Sequence, residues 1–136
     1  MEIIFLCVAN SARSQIAEGL ARAMAPQGVT VQSAGSAPTT VRPESVQVMA
    51  EIGIDISTHH AKGLNDVNLD SSSLVVTLCA EEACPALPGD VHRLHWPIPD
   101  PASDPEHPDT LEGFRQARSQ IQGMLTDLFS QPLSLP

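Results

Sequence analysis

The sequence predicts a single-domain α/β fold, in which a four-stranded parallel sheet carries helices on both faces. Apolar runs rich in β-branched residues alternate with stretches of helical periodicity, and this alternation is typical of a parallel sheet covered by helices. The apolar runs are nearly continuous, as expected of strands buried on both faces. With 136 residues, the chain is long enough for one hydrophobic core. We therefore predict one domain over residues 1–130 and a frayed tail over residues 131–136.

The predicted strands are short segments in which valine, isoleucine and leucine dominate. Such side chains suit a pleated and buried surface. In chain order, the strands are expected at Glu2–Val8, Val29–Ser33, Ser73–Cys79 and, more weakly, Val91–His95.

Three helices are predicted between and after these strands. The first covers Gln15–Met24, with an apolar stripe formed by Ile16, Leu20, Ala23 and Met24. The second begins at Pro43, a residue suited to the first turn of a helix, and stops at Gly53. The last helix keeps one face apolar through Leu111, Phe114, Ile121, Leu125 and Leu128.

The charge of the chain excludes some classes of partner. The formal net charge is −9, whereas binding to nucleic acid or anionic lipid requires a basic surface, so neither is expected. An anionic substrate is repelled at long range and needs a local cationic site. No apolar run approaches the ~20 residues that span a membrane, and the N-terminus lacks a secretory signal pattern. We expect a cytoplasmic protein.

The loop between the first strand and the first helix has the composition of an oxyanion site. Cys7 and Arg13 lie at its two ends. Unpaired N–H groups at a helix N-terminus bind anions and favour the thiolate form of a nearby cysteine. The guanidinium of Arg13 can bind two oxygens of arsenate, phosphate or sulfate at once. Cys7 is the predicted nucleophile, and the predicted substrate-binding residues are Val8, Ala9, Asn10, Ser11, Ala12, Arg13 and Ser14.

Two residues of this loop have additional expected roles. Ser14 offers a hydroxyl to the Cys7 thiolate, and Asn10 is the residue best able to adopt a left-handed backbone conformation in a loop without glycine. The alternative is that Cys7 is a buried core thiol and Arg13 a solvated residue of the first helical turn. The position of the motif between a strand and a helix favours the catalytic interpretation.

The other two cysteines point to redox chemistry. Three cysteines do not suit a fixed disulfide framework. Cys79 ends a predicted strand, as Cys7 does, so both are expected at the carboxyl edge of the sheet, where ligands bind in such folds. Cys84 follows Cys79 closely enough to bring the third sulfur to the second.

Four motifs together resemble a known family. They are Cys7-x5-Arg13-Ser14, Val75-Val76-Thr77-Leu78-Cys79, Cys84-Pro85 and the segment from His95 to Ala102. In this order they resemble the thioredoxin-coupled arsenate reductases built on the low-molecular-weight tyrosine phosphatase fold. The similarity covers nearly the whole chain.

The resemblance implies a reaction and a role for each motif. Cys7 would attack arsenate held by Arg13, with Asp100 as the general acid, and Cys79 and Cys84 would form a disulfide relay reduced by thioredoxin. No bound cofactor and no metal is implied. Phosphate and sulfate would compete with arsenate for the loop.

This chain also departs from the family pattern. Some members bind potassium through residues that match Asn10, Glu18 and Ser33 together with an aspartate, and the position of that aspartate matches Lys62. An ammonium group there could substitute for the ion. Phosphatases of this fold carry tyrosines after the Asp-Pro pair, whereas this chain contains no tyrosine, which indicates a small inorganic substrate.

Two other functions fit parts of the sequence. The first is a phosphatase acting on phosphotyrosine or another phosphomonoester, in which Cys79 and Cys84 have no catalytic role. The second is a metal-binding or redox-sensing module that uses Cys79, Cys84, His92 and His95. It leaves Cys7 and Arg13 unexplained. His59 and His60 are expected to be exposed loop residues.

Overall fold

A computed structural model describes residues 1–70, 73–80, 87, 91–101 and 110–131. Its four strands are β1 (Glu2–Cys7), β2 (Thr30–Gly35), β3 (Ser73–Thr77) and β4 (His92–His95). Its helices are α1 (Arg13–Met24), α2 (Pro43–Ala50), a short 3-10 helix (Leu64–Asp66) and α3 (Thr110–Phe129). The strands form one parallel sheet in the order β2-β1-β3-β4. The predicted fold class is confirmed.

Most element boundaries agree with the sequence prediction to within a few residues. Strand β2 extends to Gly35 because it pairs with β1 along its whole length, up to Cys7 opposite Gly35. Strand β3 ends at Thr77, two residues before Cys79. Most of the predicted frayed tail, residues 132–136, lies outside the described residues.

Alternate residues of each strand face opposite sides of the sheet, because side chains alternate along a strand. Ile3 and Phe5 belong to the larger core cluster, which also contains apolar residues of α1, α2 and α3. Ile4 and Leu6 belong to a smaller cluster on the other face, where Leu64 of the 3-10 helix packs. Both faces of the central strand are therefore buried, as its continuous apolar sequence predicted.

Ion pairs join α2 to α3 on the surface. Arg115 and Arg118 of α3 lie 2.7 and 2.8 Å from the carboxylate of Glu51, which follows α2 directly. Hydrogen bonds from Arg115 first, and from Arg118 second, lower the pKa of Glu51 to about 2. Arg118 also donates to the carbonyl oxygen of Val48 at 2.6 Å. These contacts fix the position of α2, whose N-terminal end lies near the loop after β1.

The end of β2 carries a glycine because the loop after β1 passes directly over it. A Cβ atom at Gly35 would lie 2.8 Å from the backbone nitrogen of Asn10 and closer still to the carbonyl oxygen of Val8. Both are backbone atoms, so no side chain could move aside. Glycine is thus required at this position to let the loop approach the sheet.

None of the three α-helices that the structure describes combines the length and the apolar composition that a membrane-spanning helix requires.

Gly35→Ala should destabilise the protein by about 1–3 kcal/mol, the usual cost of inserting atoms into a packed site. The matched control is Gly123→Ala in α3, where a Cβ atom would have no neighbour within 4 Å. This control should stabilise the protein by about 0.5–1 kcal/mol, because alanine is the better helix former. Urea unfolding of both variants measures the two effects. Equal stability of the Gly35→Ala variant and the parent protein would show that the loop can retreat from β2.

Candidate active site

The candidate site lies on the loop of residues 8–12, at the carboxyl edge of the sheet. Strand β1 ends at Cys7 and helix α1 begins at Arg13. The two neighbours of β1 are β2 on one side and β3 on the other, so the chain reverses its strand order at this point. Ligands of open α/β sheets bind at such a switch point. The loop is therefore in the position that the sequence predicted.

The backbone of the loop turns through Asn10, whose φ is 50°. This is the left-handed conformation predicted for that residue. The residue before α1 is Ala12, which has no side chain that could cap the helix. The first N–H groups of α1 therefore point toward the loop without a side-chain acceptor from the capping position, as an anion site requires.

Hydrogen bonds to the Cys7 sulfur have a defined direction. The Sγ atom of Cys7 lies 2.9 Å from the hydroxyl oxygen of Ser14. That oxygen already accepts a hydrogen bond from Nδ2 of Asn10 at 2.8 Å. Its own hydrogen is then available to the sulfur, which becomes the acceptor. The contact therefore gives the sulfur of Cys7 a directed hydrogen-bond donor.

The side chain of Asn10 is fixed at both ends. Its Oδ1 accepts from Nε2 of Gln15 at 3.0 Å and from the backbone nitrogen of Lys62 at 2.8 Å. Its Nδ2 donates to Ser33 at 3.0 Å as well as to Ser14. Because the oxygen receives two donors, the amide cannot flip, and it must donate toward Ser14. Sequence reasoning missed Gln15, which has no motif to distinguish it from other residues of α1.

A carboxylate is buried beneath the loop. Glu18 is only 2% exposed, and its Oε1 accepts from the Ser33 hydroxyl at 2.7 Å. The ammonium of Lys62 lies 3.4 Å from the same oxygen, and Arg22 lies 3.4 Å from Oε2. Two cationic groups therefore balance one buried carboxylate. The structure brings together Asn10, Glu18, Ser33 and Lys62, the residues that the family resemblance grouped around a possible cation.

The prediction that His59 is an exposed loop residue is wrong. Its side chain is only 15% exposed, and Nδ1 lies 3.0 Å from Oε1 of Gln15 and 3.3 Å from Oε2 of Glu18. Both neighbours are acceptors, so Nδ1 carries a hydrogen. Burial lowers the pKa of His59, although the carboxylate of Glu18 acts in the opposite direction. His60 is exposed, as expected.

Arg13 connects the loop to two other segments of the carboxyl edge. Its side chain is buried, and Nη1 donates to the carbonyl oxygens of Leu78 at 3.4 Å and Ile98 at 2.9 Å. Leu78 directly precedes Cys79, and Ile98 lies two residues before Asp100. The guanidinium is thus held where the predicted nucleophile, relay thiol and acid converge.

Cys7 and Cys79 lie at the same edge of the sheet, as predicted. The residues that precede them are joined by a hydrogen bond of 2.9 Å from the backbone nitrogen of Leu78 to the oxygen of Leu6. Both cysteines are thiols and both are buried, with 3% and 1% exposure. Cys84 lies outside the described residues.

A cavity of about 330 Å³ opens above the loop. Asp100 lines it together with Cys7 and Arg13, which places the predicted acid at the same cavity as the predicted nucleophile. Thr39 and Arg42, which sequence reasoning missed, also line the cavity. Their place in the chain could have indicated this, because they follow β2 and the segment after a parallel strand starts at the carboxyl edge of the sheet.

One of the two histidines that suggested a metal site, His95, has another partner. Nδ1 of His95 lies 2.7 Å from the hydroxyl of Thr77. Within the described residues, no group of three or more His, Cys, Asp or Glu side chains is arranged to hold a metal ion.

Comparison with known proteins agrees with this geometry. The profile of the family described as low molecular weight phosphotyrosine protein phosphatase matches residues 2–134. An arsenate reductase of Staphylococcus aureus strain Newman is 43% identical over 122 residues, which cover 88% of this chain and 89% of that protein.

Solved structures of arsenate reductases have the same fold. One from Archaeoglobus fulgidus superposes with a TM-score of 0.78 at 30% identity, covering 95% of this chain and 99% of that one. An arsenate reductase in the phosphate-binding state has a TM-score of 0.76 at 29% identity, covering 95% and 96%. The thioredoxin-dependent arsenate reductase of Corynebacterium glutamicum has a TM-score of 0.70 at 29% identity, covering 95% and 60%. The chain belongs to the low molecular weight phosphotyrosine protein phosphatase family.

Proposed function

We propose that this protein reduces arsenate to arsenite and that thioredoxin returns it to the reduced state. The observation that carries the proposal is the pair of buried thiols, Cys7 and Cys79, that follow hydrogen-bonded residues at one edge of the sheet. An ordinary phosphatase reaction needs only the first of them. The similarity to arsenate reductases, one of them thioredoxin-dependent, supports the same conclusion.

The first step is the attack of the Cys7 thiolate on arsenic. The oxyanion binds to the N–H groups of the loop and to Arg13, and the hydroxyl of Ser14 donates a hydrogen bond to the attacking sulfur. An arsenic–oxygen bond breaks as the sulfur–arsenic bond forms, and Asp100 donates the proton with which the oxygen leaves as water. The position of Asp100 at the cavity supports this role.

The second step transfers two electrons to arsenic. The thiolate of Cys79 attacks the sulfur of Cys7, a disulfide forms, and the electron pair of the sulfur–arsenic bond stays on arsenic. Arsenic(V) becomes arsenic(III), which is released as arsenite, and two thiols are oxidised. The thiols supply all electrons, so the reaction requires no bound cofactor.

The third step transfers the disulfide from Cys7 and Cys79 to Cys79 and Cys84. A Cys7–Cys79 disulfide would form between residues that are 3% and 1% exposed, where a reductant protein could not reach it. Cys84 attacks Cys79, which frees Cys7 and leaves a Cys79–Cys84 disulfide for exchange with thioredoxin. This chemistry requires thiols that are kept reduced between turnovers, as in the cytoplasm.

Cys84→Ser separates the relay from the first two steps. With this variant, one addition of arsenate should release about one equivalent of arsenite and leave a Cys7–Cys79 disulfide, because both remaining thiols can still react. Cys79→Ser is the matched variant, and it should keep the adduct on Cys7 and release little arsenite. Native mass spectrometry and disulfide mapping identify the species. If the Cys84→Ser protein turns over with thioredoxin and NADPH-dependent thioredoxin reductase as fast as the parent, the three-thiol relay is wrong.

Arg13→Lys should lower kcat/KM for arsenate by about 10²–10³-fold, the usual cost of losing an oxyanion-binding donor. Lysine keeps the charge but cannot bind two oxygens as a planar fork. Melting temperatures of the variant and the parent show whether the lost contacts to Leu78 and Ile98 also weaken the fold. Near-normal efficiency in a folded variant would exclude Arg13 as the oxyanion ligand.

Lys62 should make the protein indifferent to potassium, since its ammonium lies 3.4 Å from the buried Glu18 carboxylate. The parent should melt at the same temperature in potassium chloride and in choline chloride of equal ionic strength. Lys62→Asp, which introduces the family residue beside Glu18, should be less stable and should regain stability with potassium. A marked potassium stabilisation of the parent would contradict the substitution of ammonium for the ion.

A further inference from the structure

The mouth of the active-site cavity has features that an inorganic oxyanion does not need. At about 330 Å³, the cavity lies within the size range of pockets that hold small organic molecules. The loop itself supplies the oxyanion-binding groups. Thr39 and Arg42 line the cavity from outside the loop.

Arg42 is held at this place by its backbone. Its N–H donates to the carbonyl oxygen of Ser11 at 2.9 Å, and the N–H of Thr39 donates to the oxygen of Ala9 at 3.0 Å. These bonds attach the segment before α2 to the loop and do not involve the Arg42 side chain. A substitution of the side chain therefore leaves the attachment in place.

The guanidinium of Arg42 is oriented as well. Its Nε and Nη2 donate to Oε2 of Glu44 at 3.1 and 2.6 Å, and its central carbon lies 5.8 Å from the centre of the Phe114 ring. Nη1 has no hydrogen-bond partner among the residues that the structure describes. The side chain of Arg42 is 40% exposed. One edge of the guanidinium is thus fixed, while the other can bind an acceptor.

The groups at the mouth favour an anionic ligand over an aromatic one. No aromatic side chain lines the cavity within the described part of the chain, so an aryl group would find no stacking partner there. A guanidinium and a hydroxyl instead suit a carboxylate, which a planar fork binds well. With a net charge of −9, the protein has few cations, and two of them, Arg13 and Arg42, line this cavity.

We infer that the site also hydrolyses small phosphomonoesters whose alcohol carries a carboxylate, and that Arg42 binds this second anion. The inference uses the nucleophile and oxyanion loop of the proposed function but not the thiol relay. Cys7 attacks phosphorus, the phosphorus–oxygen ester bond breaks, and Asp100 protonates the departing alkoxide. Water then attacks the phosphocysteine, giving its proton to Asp100, and phosphate leaves as the Cys7 thiolate re-forms. No atom is oxidised or reduced.

The test compares two esters that differ in the second anion, phosphoglycolate and ethyl phosphate. Phosphate release gives kcat/KM for each ester, and the ratio of the two values cancels any general change in activity. In the parent protein, phosphoglycolate should be favoured about tenfold, which corresponds to about 1.4 kcal/mol. Arg42→Gln should bring the ratio close to one. Arg93→Gln, an exposed position on β4 with the same charge change, should keep the parental ratio.

The outcomes separate this inference from the reductase proposal. Cys84→Ser should still hydrolyse phosphoglycolate, because hydrolysis needs no relay, while losing thioredoxin-coupled arsenate reduction. Arsenate reduction without hydrolysis of either ester would overturn the inference and leave the reductase in place. An equal preference for the two esters in the parent, or a preference that survives Arg42→Gln, would also overturn it. Loss of the preference in Arg93→Gln would show a general charge effect instead of binding by Arg42.

Discussion

The site depends on the way in which the side-chain amide of Asn10 is held. The oxygen of this amide accepts two hydrogen bonds, and its nitrogen donates to Ser14 and Ser33. An amide has one accepting and one donating end, so this arrangement fixes the direction of every hydrogen bond that leads to Cys7. The left-handed backbone at Asn10, with φ of 50°, belongs to the same arrangement because it aims the amide beneath the loop. Glycine could keep the left-handed turn at this position, but it would lose the hydrogen-bond direction that the amide sets.

An acidic protein that binds an oxyanion has to create a positive potential locally. Here the N-terminus of α1, the buried guanidinium of Arg13 and the partly exposed Arg42 all face one cavity. The buried carboxylate of Glu18 would oppose that potential if it stood alone. Lys62 and Arg22 lie 3.4 Å from its oxygens, so its negative charge is balanced and does not cancel the positive potential at the proposed anion site.

The order of the strands explains how distant segments meet. With β1 between β2 and β3, the segments that follow these three strands leave the same edge of the sheet. The proposed nucleophile, Cys7, comes from the first, Arg42 from the second and Cys79 from the third. Gly35 allows the loop to lie against β2, and Arg13 ties it to the carbonyls of Leu78 and Ile98. The same contacts therefore pack the loop against the sheet and position the residues of the site.

The sequence by itself determined the order of the elements, the parallel sheet, the position of the loop and the left-handed turn at Asn10. These features depend on periodicity and on residues close together in the chain. Only the tertiary structure decided that Gln15 and His59, which are 44 positions apart, hydrogen-bond behind the loop, that His59 is largely buried against Glu18, and that Arg42 faces the cavity. The physical reason is that such contacts are set by the packing of separate segments. No local pattern distinguishes Gln15, His59 or Arg42 from an ordinary polar surface residue.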